Sequence, residues 1–294
     1  MSSPESPFVR SKDQASEILE ESLRAVARRS VPALRRIYDL MASQLLAELL
    51  QRLGDRQIAE RALADSFELI WNQAVHFSPE RSRPEAWLRA IVHQQAVGVL
   101  REGSVTAPAE EVDGVVLLLN ASIEAQGLPP EQKLLQLAWN SGRSPRELAS
   151  ALQIPVRQVR QEIHVAIAAL VEQHPVEHHL GASRRPKWRG STLEHVAAAY
   201  TLGAFVPGAH RRFEAMMTKD AEVRRAWQRW GSRLAGLSLE IPTVRPPDNT
   251  WSVIEQRLMP AARARPKSPL RWSIMAVLLA LAALAFVWMR LRRH

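Results

Sequence analysis

The 294-residue sequence contains no cysteine at all. That excludes a disulfide framework, thiolate zinc sites and thiol nucleophiles, and it fits a reducing compartment. Also missing are a P-loop, a dinucleotide-type glycine pattern, a His-Glu-x-x-His pair and a nucleophile elbow, so an enzyme reading has little behind it. His174, His178 and His179 cluster as His-Pro-Val-Glu-His-His. No further ligand set accompanies them, and a solvated helix end accounts for the cluster; no metal or cofactor is expected. The first 13 residues hold Ser, Pro and charges without an apolar core, so no signal peptide is expected. No internal repeat is found.

What is present is basic and apolar. The net charge is +9, which favours anionic partners such as nucleic acid or lipid head groups, against the plain alternative of solubility. Apolar residues make up 46% and charged residues 23%, enough to bury cores in two or three small domains.

No charge occurs between Arg271 and Arg290. As a helix this run spans about 27 Å, close to a hydrocarbon core of about 30 Å. Trp272 and Trp288 sit at its ends, where indoles favour the head-group layer, and arginines flank both sides. The sequence therefore predicts one transmembrane helix over 272–289, preceded by a basic juxtamembrane linker (261–271) and followed by a short tail (290–294). Without a signal peptide, the N-terminal bulk is expected in the cytoplasm, on the inner membrane of a bacterium.

The rest of the chain reads as helical. After an N-terminal extension (1–29), Ser30 caps a first helix with Leu34, Ile37, Tyr38, Met41, Leu45 and Leu49 at three-to-four spacing. Gly54 ends it, and Asp55 caps a second whose stripe is Ala59, Ala62, Leu63, Phe67, Ile70 and Trp71. A third enters at Pro84 and carries Trp87, Leu88, Ile91, Val92 and Leu100. A linker (102–127) holds one apolar patch, from Val115 to Leu119. Helices return over 128–173, a basic linker fills 174–192, and a third helical section runs over 193–260.

Within 128–173 the layout is short helix, tight turn, longer helix. Ser144, Pro145 and Glu147 spell a capping box, Gln153-Ile-Pro155 breaks the chain, and Val156, Val159, Ile163, Ile167 and Leu170 line one face of the second helix. That is the helix-turn-helix plan, whose second helix meets base edges and phosphates. Arg157, Gln158, Arg160, Gln161 and His164 fall on or near its exposed face. Arg can grip guanine bidentately and Gln adenine. A helical hairpin with a solvated polar face gives the same pattern.

The order of these pieces resembles a family. Gly54-Asp55, Ala62-Leu-Ala-Asp-Ser-Phe67, Ile70-Trp71, Phe77-Ser-Pro-Glu-Arg81 and Trp87-Leu-Arg-Ala-Ile91 resemble region 2 of the extracytoplasmic-function sigma factors. Leu128-Pro-Pro-Glu-Gln132, Leu137, Gly142, Ser144, Glu147-Leu-Ala149, Leu152, Pro155 and Val159 resemble region 4. The resemblance implies an all-α protein with a region 2-like domain over 30–101 and a region 4-like helix-turn-helix over 128–173. Its implied partners are RNA polymerase core and promoter DNA. It places Asp65, Phe67 and Glu68 against the polymerase, and Arg89 and Arg101 of the third helix beside the opening promoter. Arg157, Gln158, Arg160, Gln161 and His164 would read the upstream element. Where the family usually has Asn and then Asp in the third helix, this chain has Gln94 and Gly98.

Ala199-Tyr-Thr-Leu-Gly-Ala204, His210-Arg-Arg-Phe-Glu214, Asp220-Ala-Glu-Val223, Trp227, Leu234 and Trp251-Ser-Val-Ile-Glu255 resemble the anti-sigma-K type of anti-sigma factor. Covalent fusion of restrained and restraining parts makes their contact intramolecular, at an effective concentration on the order of millimolar. The expectation is a membrane-tethered, self-restrained sigma-like regulator; inner-membrane lipid, and a separate membrane sensor or anti-sigma partner, are further expected contacts. The competing reading is a membrane-anchored anti-sigma factor or interaction scaffold that does not bind DNA.

Overall fold

The computed structural model describes residues 7–102, 109–173, 190–205 and 207–258. Among them every regular element is a helix, with no strand. The first four helices, α1 (Pro7–Ala27), α2 (Val31–Leu53), α3 (Arg56–Gln73) and α4 (Pro84–Arg101), pack on one another. In α1 Leu19, Leu23 and Val26 recur at helical spacing and are fully buried, so residues read as an extension supply one wall of the bundle. The chain reverses through Arg29 at φ 66°, and Ser30 Oγ then accepts the Ala33 amide to start α2. Gly54, at φ 74°, ends α2, and Asp55 caps α3 through a 2.8 Å bond from the Ile58 amide. The core holds Leu34, Ile37, Leu45, Leu63, Phe67, Ile70, Trp87 and Ile91.

A second group comprises α5 (Ala109–Glu124), α6 (Pro130–Ser141), α7 (Pro145–Leu152) and α8 (Val156–Gln173). Helix α5 lies in the stretch read as a linker. It buries Val116, Leu119 and Ile123, and it packs on α6 and α7. Gly142 in the left-handed region closes α6, and a complete capping box of Ser144 and Glu147 opens α7. The turn into α8 passes through Gln153, also left-handed at φ 55°.

The third section forms three helices, α9 (Gly190–Thr201), α10 (Pro207–Lys219) and α11 (Ala221–Ala235), the last capped by Asp220. An irregular strap, 236–249, leads to α12 (Thr250–Leu258). Helix α11 packs on both α9 and α4, and α8 also meets α9. All of this up to Trp251 is one compact unit, Met1–Trp251; the other unit, Ser252–His294, is described only over 252–258.

One expectation is corrected. The sequence reading placed a membrane helix over 272–289 with Trp272 and Trp288 as anchors, but no helix of the described residues is long and apolar enough to cross a membrane. The longest, α2, carries Arg35, Arg36, Asp39, Glu48 and Arg52, which a hydrocarbon core would not accept. Residues 272–289 lie outside the described residues, as do His174, His178, His179 and the basic stretch 184–189. The inner-membrane placement and the lipid contact are therefore withdrawn.

Candidate functional site

Helix α8 has two faces. Val159, Ile163, Ala166 and Ile167 turn inward, and Arg157, Gln158, Arg160, Gln161 and His164 are all exposed on the outer side. Period-3.6 patterning puts these five together along the N-terminal half of the helix. Gln158 Nε2 donates to Glu162 Oε1 at 2.9 Å, and among the described residues neither Arg157 nor Arg160 has an ion-pair partner. The His164 ring lies 5.7 Å from that of His195 on α9, so the far end of this face touches the third section. Chemically the face offers two guanidinium forks without an ion-pair partner among the described residues and the amides of Gln158 and Gln161, groups suited to phosphates and base edges.

The other candidates are dispersed. Phe67 is fully buried, its ring 5.3 Å from that of Tyr38, so it serves the core. Asp65, on the same helix, accepts from Gln95 Nε2 at 3.5 Å, and Glu68 is exposed. Arg89 is turned inward onto Glu48, with Nε 3.0 Å from Oε1. Arg101 is held on three sides: its guanidinium donates to Gly203 O at 2.6 Å and Gly142 O at 3.5 Å, and meets Glu147 Oε2 at 3.4 Å. Burial lowers its pKa, and the Glu147 carboxylate opposes that shift.

The third section closes over α4. Gly231 of α11 sits so near Ala90 that an added Cβ would lie 2.6 Å from the Ala90 Cβ; only glycine allows this approach. Around that contact Ser232 Oγ meets Ser82 Oγ at 2.5 Å and Gln228 Nε2 donates to His76 O at 3.3 Å. Glu194 of α9 accepts from Trp230 Nε1 at 2.8 Å and pairs with Arg229, locking α11 to α9. On the next turns of α4, buried His93 contacts Thr201 O through Nε2 at 2.7 Å, and Gln94 Nε2 donates to Tyr200 Oη at 3.1 Å. Burial, with the Glu214 carboxylate nearby, raises the Tyr200 pKa, so its hydroxyl stays protonated.

The strap beyond α11 grips α6 and α2. Trp139 Nε1 donates to Ser238 Oγ at 2.8 Å, Asn140 bonds the backbone of Leu237 and Leu239, and the Val244 amide donates to Ser43 O at 3.0 Å. Trp251 then rests on Tyr38, with ring centroids 5.5 Å apart.

Sequence reasoning missed His93, Trp139, Asn140 and the Glu48–Arg52 pair. Polar residues interrupting apolar stripes were the available signal: Glu48 and Arg52 stand four apart inside a leucine-rich helix.

No family model matches the chain. Among curated proteins it is similar to the ECF RNA polymerase sigma factor SigK of Mycobacterium sp. strain KMS. The two are 24% identical over 170 residues, covering 52% of this chain and 88% of that protein. The SigK proteins of strains JLS and MCS match to the same extent. The similarity is distant and covers about half of the chain, and at that level it supports a sigma-factor-like regulator of transcription.

Proposed function

We propose that the chain is a sigma-factor-like transcription regulator that binds promoter DNA through α8 and RNA polymerase core through its first four helices, and that its own 193–251 section restrains it. The observation that carries the restraint is the burial of α4 beneath α11, centred on the Gly231–Ala90 contact, with the end of α9 bonded to His93 and Gln94. The helix to which the family resemblance assigns promoter opening is covered, and Gln94 and Arg101 on it are engaged by the third section. The face of α8 stays open, with Arg157 and Arg160 unpaired among the described residues.

This arrangement supports a division of labour. DNA can be met through α8 in the restrained state, whereas α4 becomes available only after α11 lifts. Because restraint is intramolecular, a modest interface suffices to keep α4 covered.

Salt-titrated DNA binding by the full chain tests the DNA half. Binding that weakens steeply with salt is expected, and Arg157→Ala and Arg160→Ala should each lower the log–log salt slope by about one. Salt-independent binding, or none, would favour the scaffold reading instead.

A further inference from the structure

The outer face of α8 has two unlike edges. With about 3.6 residues per turn, Arg157, Arg160 and His164 fall along one edge, the one on which the His164 ring approaches His195 of α9. Gln158, Glu162 and Val165 fall along the other, which looks toward the start of α6. Together with Gln161, from the middle of the face, and Pro130 of α6 they line a surface groove. None of these five residues is cationic, and the Glu162 carboxylate accepts the Gln158 amide at 2.9 Å. The groove therefore disfavours a phosphate. Val165 supplies its apolar wall and is 52% exposed, in the third turn of α8. No local rule asks for valine there: branching at Cβ lowers helix propensity, and a half-exposed position has little packing to gain.

We infer that Val165 is a specificity residue, packing on the C5-methyl group of a thymine in the major groove beside an adenine contacted by Gln161. The inference rests on the reading of α8 as the DNA-binding helix and adds which base its α6-side edge selects. In the major groove adenine presents an acceptor and a donor, which a Gln carboxamide matches, and thymine presents a methyl group, which an apolar side chain matches. Val165 stands four residues after Gln161 on the same face, about 6 Å further along, and base pairs stack about 3.4 Å apart, so the two side chains can reach nearby A·T pairs. The two edges then divide the duplex between them. The cationic edge meets phosphates and guanine, and the groove takes the apolar edge of a base.

Uracil lacks only the methyl group of thymine, so exchange of the two bases isolates this contact. The test uses the full chain and duplex DNA selected from a random pool by binding to it, with each thymine of the selected site replaced in turn by deoxyuridine. At one or two positions the replacement should weaken binding by about fourfold, the effect of one buried methyl group. Val165→Ala should bind the thymine and deoxyuridine duplexes alike at those positions. Arg157→Ala should bind both more weakly and keep their ratio. Each comparison is a ratio within one protein, so it does not depend on how much of a variant is folded. A selected site in which no thymine is distinguished from deoxyuridine, or an undiminished ratio in Val165→Ala, would overturn the inference and leave DNA binding by α8 standing. A chain that selects no DNA would overturn both.

Discussion

His93 lies flat against Trp139, their ring centroids 3.9 Å apart and their planes 17° from parallel. The contact joins α4 to α6, and Thr201 O at 2.7 Å from Nε2 adds α9 to the same point. Burial drives the His93 pKa well below its ordinary 6.5, and the nearby Arg52 charge acts in the same direction. The imidazole is therefore held neutral, with its proton on Nε2 facing the carbonyl.

The pH dependence follows from that depression. Below about pH 6.5 the unfolded chain takes up a proton at residue 93 that the folded chain refuses, so stability falls as pH falls. The slope from this one group is at most about 1.4 kcal/mol per pH unit. His76 and His210 are shifted down by burial too and add in the same sense. Denaturant unfolding between pH 8 and pH 5 should show the midpoint dropping on the acid side, and His93→Gln should flatten the drop. An unchanged slope in that variant would refute the assignment.

Glu48 neutralises two arginines inside the bundle. Its Oε2 is 3.4 Å from Arg52 Nη1 and its Oε1 is 3.0 Å from Arg89 Nε, and the Arg52 side chain is completely buried. Glu48→Gln would leave Arg52 as an uncompensated interior charge, with an expected cost of about 3–5 kcal/mol. Asp39→Asn, which breaks the exposed Arg35–Asp39 pair, should change stability by less than about 1 kcal/mol. Urea unfolding of the two variants measures the contrast; similar small losses in both would count against a buried ionic cluster.

The Gly231–Ala90 contact predicts a paired behaviour. Gly231→Ala pushes a methyl group into Ala90 and should destabilise the chain by about 1–3 kcal/mol through overpacking. Ala90→Gly removes the opposing methyl group, so the double variant should recover part of that loss despite the lower helix propensity of glycine. A double-mutant cycle with no coupling would show that α11 and α4 do not meet in this way.

Local signals were the legible part of this fold. Ser30, Asp55, and Ser144 with Glu147 cap the helices that their positions predict, because capping depends only on residues within one turn. The α8 stripe of Val159, Ile163 and Ile167 turned inward as its spacing required. Helix α1 was readable from Leu19, Leu23 and Val26, but its charged sequence and the position before Ser30 disguised it as an extension. Arg89 and Arg101 looked like surface cations because nothing local reveals Glu48 across the bundle or Gly203, 102 residues further on. The Asn140–strap bonds likewise join residues 97 to 99 positions apart. Contacts of that separation are set by packing, not by sequence period.

Self-restraint is the central claim, and run-off transcription tests it most directly. Polymerase core, DNA fragments selected from a random pool by binding to the chain, and three full-length proteins are needed: unaltered, Gly231→Ala, and Ala90→Gly with Gly231→Ala. The account predicts more transcript from Gly231→Ala than from the unaltered chain, and a return toward the lower level in the double variant. Equal output from all three, or no transcript from any, would contradict it.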